Sequence, residues 1–170
     1  MKIRTVSTVV CASAGALLLA ACGEAEEPAE VAAANDDCVA GIEVADAWMA
    51  SPAIAGDPAA VYFTITNTGE RDRMIRAADV EGAQSAMLHA TGEWNLQPSM
   101  DEMSQVNVPA GEATEFNPDT YHVMAMNTDP TLEVGGTSEV TLTVLGGDKC
   151  SFPATVRGPG DMPDSGDAAG

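Results

Sequence analysis

The sequence predicts an all-β domain, built as a Greek-key β-sandwich or a small barrel with no substantial helix. Short segments alternate apolar and polar residues or are rich in β-branched and aromatic residues, which is typical of strands. Proline and glycine pairs separate these segments. Beyond the N-terminal leader, no apolar pattern keeps the helical period for more than about two turns. Together these observations favour a sandwich or barrel of about seven short strands.

The strand pattern recurs along the chain. Its clearest example is AVYFTITN, residues 60–67, which ends in a turn signal at 67–69. The run TGEWN, residues 91–95, predicts a further turn. The predicted strands are residues 42–48, 60–67, 85–91, 104–108, 121–126 and 139–145.

An export signal is predicted at the N terminus, residues 1–21. Lys2 and Arg4 precede an apolar run that is too short for a comfortable membrane span. The run ends in LAAC, which resembles a bacterial lipoprotein box and predicts cleavage before Cys22 and lipid attachment to that cysteine. An ordinary signal peptide cleaved nearby is the alternative. The predicted location is periplasmic, with the protein anchored to a membrane by its lipid.

Composition divides the rest of the chain into three parts. Residues 22–37 are acidic and small, without apolar periodicity, and predict a flexible tether. Residues 38–157 form the predicted β-domain. Residues 158–170 have a composition similar to the tether and predict a disordered acidic tail.

The charge of the chain excludes several classes of function. There are 26 acidic and only 7 basic residues, and the formal net charge is -19. Nucleic-acid binding needs clustered lysine and arginine to neutralise phosphates, and so does electrostatic docking on anionic lipid. The sequence contains neither H-E-x-x-H nor G-x-S-x-G, and two histidines are too few for the usual catalytic zinc site. We therefore expect a protein that is not an enzyme.

The cysteines predict a disulfide at the borders of the folded region. Cys11 leaves with the signal peptide and Cys22 carries lipid, so Cys38 and Cys150 remain. Disulfides persist outside the cytoplasm, and a Cys38–Cys150 bridge would tie the first strand to the last. A metal-binding or redox-active thiol pair is the alternative, although the two cysteines lack C-x-x-C spacing.

Soft metal ligands are concentrated in one part of the chain. Both histidines and five of the nine methionines lie between residues 87 and 126. Thioether ligands select Cu(I), whereas Mg, Ca and Mn prefer oxygen. The concentration predicts a Cu(I) site, although a methionine on alternating strand positions is more often a core residue.

Spacing selects candidate ligands within this stretch. His122 and Met124 lie two residues apart on a predicted strand and therefore point to the same face. Met87 and His89 have the same relation. A hairpin or short loop brings Met100 toward His89. The methionines with a candidate accessory role in metal binding are Met87, Met103 and Met126.

The spacing of these residues resembles that of the periplasmic copper chaperones called PCu(A)C. Their signature is matched by His89, ten residues, Met100, twenty-one residues and then His122-x-Met124. Upstream, residues 42–48 and 60–69 look like the opening strands of that family. The resemblance covers residues 41–145, most of the predicted domain.

The resemblance implies a cupredoxin-like or immunoglobulin-like β-fold that binds Cu(I) as its cargo. The implied ligands are His89, Met100, His122 and Met124. It further implies delivery of copper to a copper-accepting protein, such as the cytochrome oxidase subunit that holds the copper A centre or a thiol metallochaperone. The alternatives are copper storage or resistance, and a metal-free structural β-sandwich lipoprotein.

Overall fold

The computed structural model describes residues 37–54, 56–130 and 132–161, apart from the side chains of Trp94 and Pro98. Outside the described residues lie the predicted signal peptide, the predicted tether up to residue 36 with its predicted lipidation site Cys22, and residues 162–170 of the predicted tail. None of the described segments forms a helix with the length and hydropathy that a membrane span requires.

The prediction of an all-β fold is confirmed, since the described part of the chain contains ten strands and no helix. The strands are β1 (Ile42–Ala50), β2 (Ala59–Asn67), β3 (Arg73–Val80), β4 (Ser85–Trp94), β5 (Gln97–Met103), β6 (Val106–Val108), β7 (Ala113–Phe116), β8 (Tyr121–Met126), β9 (Thr137–Val144) and β10 (Lys149–Arg157).

The ten strands form one mixed sheet that closes nearly into a barrel. Their order is β5-β4-β8-β7-β2-β1-β10-β9-β3-β6, and β2 also pairs with β8. Most neighbours are antiparallel, whereas β1 with β10 and β7 with β8 are parallel. This order places β4 and β8, which carry both histidines, side by side, with β5 at the edge of the sheet.

The core is built from the alternating residues predicted by the sequence. Along β2 every second side chain is buried, including Val61, Phe63 and Ile65. The Phe63 ring stacks on Phe116 with centroids 4.3 Å apart and contacts Phe152 at 5.0 Å. The intervening residues of β2 point to the opposite face, as the period of two requires.

A disulfide joins Cys38 to Cys150 across a sequence separation of 112 residues. Cys38 lies just before β1 and forms an isolated bridge with Cys150, which is fully buried in β10. The bridge therefore connects the entry to the first strand with the last strand.

The predicted hairpin between His89 and Met100 is present, but of the predicted turn residues 91–95 only Asn95 lies in the turn. The structure extends β4 through Trp94 and pairs it with β5 in a hairpin whose turn is Asn95-Leu96. Pairing with β5 makes residues 91–94 a strand, although their sequence lacks apolar alternation. Backbone hydrogen bonds to a neighbouring strand need no particular side-chain pattern.

Four strands were absent from the sequence prediction: β3, β5, β7 and β10. In β3 a register irregularity between Ile75 and Ala77 interrupts the alternation that would have revealed the strand. The predicted strand 104–108 is shorter in the structure, where β6 contains only its last three residues.

Candidate metal centre

The two histidines face each other across neighbouring strands. β4 and β8 run antiparallel, and His89 is the register partner of His122. Their ring centroids are 5.7 Å apart and their planes are inclined by 50°. Residues 33 positions apart in sequence are thus brought together by a single strand pair.

A pair of methionines occupies the adjacent position on the same face. Met87 is the register partner of Met124, and side chains two residues apart share a face of the strand. The intervening pair, Leu88 and Val123, is buried in the core. The histidines and these methionines therefore lie on the face of the sheet that points away from the core.

Met100 reaches the same face from the β4–β5 hairpin. It is the register partner of Thr91, two residues beyond His89 on β4. Its side chain is 64% exposed, yet with His122 and Met124 it lines an open cavity of about 350 Å³. The fold therefore places all four predicted copper ligands on one face of the sheet.

The histidine nitrogens are left without partners by the protein. Both ring nitrogens of His89 and Nδ1 of His122 are buried and have no hydrogen-bond partner. A buried, unsatisfied polar group costs about 1–3 kcal/mol. A metal ion bound by imidazole nitrogen would satisfy such groups, so the donor set fits a soft cation.

Burial and a neighbouring histidine favour the neutral form of the His122 imidazole. Its side chain is 3% exposed, and this burial lowers its pKa, with the neighbouring His89 lowering it further. A neutral imidazole has a lone pair available for a metal. On the other side of His122 the Tyr62 ring lies 6.1 Å away, and burial raises the pKa of its phenol. Tyr62 is therefore uncharged at neutral pH.

Within the described ranges, no cluster of the other common metal-binding side chains competes with the histidine pair. No group of three or more His, Cys, Asp or Glu side chains comes close enough there to hold a metal ion. The thioethers of Met87 and Met124 lie beside the histidine pair and are available to complete the coordination of a bound metal, and thioethers favour Cu(I).

The family model described as "Putative lipoprotein LpqE-like" matches residues 42–156, from the first strand almost to the end of the last. The chain belongs to the LpqE-like family. No curated protein is similar enough in sequence to count as a relative of this LpqE-like chain.

Solved PCuAC domains share the fold of the LpqE-like protein. The copper-bound PCuAC domain from PmoF2 is 18% identical, with 72% of this chain and 97% of that domain covered and a TM-score of 0.60. The apo PCuAC domain from PmoF1 is 24% identical, with 71% of this chain and 97% of that domain covered and a TM-score of 0.59. Cu(I)-DR1885 from Deinococcus radiodurans, solved in solution, is 29% identical in sequence, with 74% of this chain and 81% of that chain covered and a TM-score of 0.49. The resemblance to PCu(A)C proteins noted in the sequence is confirmed.

The three accessory methionines have different positions in the LpqE-like fold. Met87 lies directly beside the histidine pair. Met126 lies two residues beyond Met124 on the same face of β8, where its register partner is Ser85. Met103 is the register partner of the buried Leu88 and packs against the core. Its thioether therefore belongs to the other face of the sheet.

Aromatic residues of the LpqE-like chain extend this face beyond the predicted ligands. Tyr62 lies 4.6 Å, between ring centroids, from Trp48, and the guanidinium of Arg157 lies 5.3 Å above the Trp48 ring. Sequence reasoning missed Tyr62 as a neighbour of the site. The signal was present, because Tyr62 is an outward position between the inward Val61 and Phe63 of β2.

Proposed function

We propose that the protein is an exported copper chaperone that binds one Cu(I) and passes it to an acceptor. The ion would be held by two imidazoles and two thioethers. The proposed ligands are His89, Met100, His122 and Met124.

The observation that carries the proposal is the pair of facing histidines with unpartnered nitrogens. His89 and His122 lie 5.7 Å apart between ring centroids, and three of their four nitrogens are buried without a hydrogen bond. In a metal-free structural protein such a pair would destabilise the fold with no compensation. The copper-bound PCuAC domain from PmoF2, which has the same fold, is consistent with copper as the cargo.

The ligand chemistry suits transfer better than permanent retention. Neutral imidazole and thioether ligands leave the site with the charge of the ion, and no thiolate holds the metal. An acceptor that offers cysteine thiolates can then take Cu(I) by ligand exchange, because soft thiolates are strong Cu(I) ligands. The acidic character of the chain, with a formal charge of -19, favours a cation over the range of about 8–10 Å that salt permits.

We further propose that the acceptor leads to the copper A centre of cytochrome oxidase. The basis is the match of both ligand spacings to the PCu(A)C signature. Export and lipid attachment at Cys22 fit the same role, and the name of the LpqE-like family is that of a lipoprotein. A lipid anchor would hold the chaperone at the membrane surface where oxidase subunits are assembled.

The test is anaerobic titration of the purified protein with Cu(I) against a competing chelator, followed by transfer. We expect one Cu(I) per chain, and its release to a copper-free copper A domain. Binding of several ions that are kept in the presence of the acceptor would indicate storage instead. The absence of Cu(I) binding would leave the metal-free structural lipoprotein as the better description.

A further inference from the structure

Met87 has a closer relation to the histidine pair than the sequence signature indicates. It is the register partner of Met124 and lies two residues from His89 on β4. Facing residues of an antiparallel pair have Cβ atoms about 4.5–5.5 Å apart, and residues two apart along a strand are about 7 Å apart. Met87, His89, His122 and Met124 thus occupy the four corners of one small rectangle on the outward face.

Met100 occupies a different kind of position. It lies on β5, the edge strand of the sheet, and is separated from His122 by the whole of β4. Its side chain is 64% exposed, whereas Met87 and Met124 are half-buried. Of the proposed thioether ligands, Met100 is therefore the one that an approaching acceptor can displace first.

We propose that Met87 is a reserve thioether, which replaces Met100 on the copper ion when Met100 is released. The inference rests on the proposed function and deepens it. One copper–sulfur bond, to Met100, breaks, and another, to Met87, forms. Copper stays as Cu(I) and no proton moves, because a thioether neither titrates nor changes charge on binding.

The exchange explains how the site opens without losing its ion. When Met100 leaves, the exposed side of the cavity becomes available to an incoming thiolate. Met87 and Met124, which are both less exposed than Met100, keep two sulfurs near the histidines. Methionine has three rotatable side-chain bonds, so Met87 can reach the ion from a neighbouring register position without movement of the backbone.

The test uses three variants of the full chain: Met87→Leu, Met100→Leu and the double variant. Leucine preserves side-chain volume and removes the sulfur. Cu(I) affinity is measured anaerobically against a competing chelator, and the sulfur ligands are counted by X-ray absorption. The matched control is Met100→Leu combined with Met103→Leu, because Met103 is a methionine of the same hairpin that faces the core.

We expect Met100→Leu to keep the wild-type number of sulfur ligands, with Met87 in place of Met100. The double variant should lose one sulfur and bind Cu(I) at least about tenfold more weakly than Met100→Leu, which is within the range of coupling seen for residues that share one site. The Met100→Leu, Met103→Leu control should match Met100→Leu in both readouts. If the double variant equals Met100→Leu in affinity and sulfur count, Met87 is not a ligand.

The outcome for Met87 is distinct from the outcome for the proposed function. Failure of the chaperone proposal appears in the wild type, as a lack of Cu(I) binding or of transfer. Failure of the Met87 inference appears only in the comparison of Met100→Leu with the two double variants, while the wild type binds and transfers Cu(I) normally.

Discussion

His122 is the most buried of the four proposed copper ligands. Its ring is almost completely buried between Tyr62 and His89, and no protein atom accepts or donates at its Nδ1. Burial and the neighbouring His89 lower the pKa of His122 below 6.5. The folded protein therefore keeps an imidazole free of a proton, ready for a metal, at a pH where an exposed histidine is partly protonated.

This lowered pKa predicts a loss of stability in acid. The unfolded chain takes up a proton at His122 near pH 6.5, whereas the folded chain does so only at lower pH. The free energy of unfolding of the metal-free protein should thus fall as the pH decreases from 6.5 to the folded pKa and then level off for this group. Urea denaturation between pH 7.5 and 5 measures it. In His122→Phe the free energy of unfolding should fall less over the same pH range. If it falls as much as in the wild type, other titrating groups cause the loss of stability.

Cu(I) affinity should show a steeper dependence on pH than stability does. An imidazole binds a metal only through a nitrogen that carries no proton, so a site with two imidazole ligands sets two protons against one ion in acid. The apparent affinity should fall by about a hundredfold per pH unit in that range, against about tenfold for a site with one histidine. Chelator competition from pH 7.5 to 4.5 counts the histidines. A flat profile would remove both from the site.

Replacing Met124 by leucine should separate binding from packing. Leucine preserves volume and strand propensity, so the free energy of unfolding should stay within about 1.5 kcal/mol of the wild type. The sulfur is lost, so Cu(I) affinity should fall. Met49→Leu is the matched control, because Met49 lies on β1 and is buried in the hydrophobic core. This substitution should leave copper affinity unchanged. Equal copper affinities in Met124→Leu and wild type would make Met124 a packing residue only.

At the scale of elements, the β4–β5 hairpin decides where Met100 lies. The two turn residues, Asn95 and Leu96, both have positive φ, 53° and 61°. Such a two-residue turn matches the twist of the strands and favours Asn-Gly. Asn95 suits the first position, but a leucine in the left-handed region is strained. The Leu96 side chain is 83% exposed, so little packing compensates for that strain.

Leu96→Gly should therefore stabilise the protein. We expect the free energy of unfolding to rise by about 0.5–1 kcal/mol, because relief of left-handed strain exceeds the added entropy of glycine in the unfolded chain. Leu96→Ala controls for the lost side chain and should give no such gain, since alanine keeps a Cβ. Thermal or urea denaturation measures both variants. A glycine variant no more stable than the alanine variant would show that the turn is unstrained.

At the scale of the whole molecule, the Cys38–Cys150 disulfide ties the two ends of the sheet-forming chain together. It closes a loop with a sequence separation of 112 residues. No predicted copper ligand lies on β10 or before β1, the segments that the bridge joins. Stability and copper binding should therefore respond differently to its loss.

Removal of the disulfide should destabilise the fold without abolishing copper binding. The chain-entropy model gives about 4–5 kcal/mol for a loop of this length, as an upper figure for the loss in free energy of unfolding. The variant is Cys38→Ala with Cys150→Ala, because alanine suits the apolar surroundings of the buried Cys150. Denaturation and Cu(I) titration are measured on the same sample. Loss of copper binding in a variant that remains folded would identify the thiols as ligands.

The sequence by itself determined the all-β class and predicted the chemical type of the site. Alternation along β2 and the placing of His122 and Met124 two residues apart are local patterns, and local patterns follow from the period of the strand. The sequence failed where a strand is fixed by pairing with its neighbour rather than by its own apolar alternation. Residues 91–94 form strand because β5 pairs with them, and nothing within that segment encodes the pairing.

Only the tertiary structure decided which candidates meet. His89 and His122 become neighbours through the β4–β8 register, and the same register brings Met87 to Met124. Met103, an equally good candidate by composition, is directed to the core because it faces Leu88. The physical reason is that a strand pairing shifted by one residue would reverse the face of every side chain. A linear sequence supplies the ligands and their spacing, but the pairing of strands selects the face on which each ligand lies.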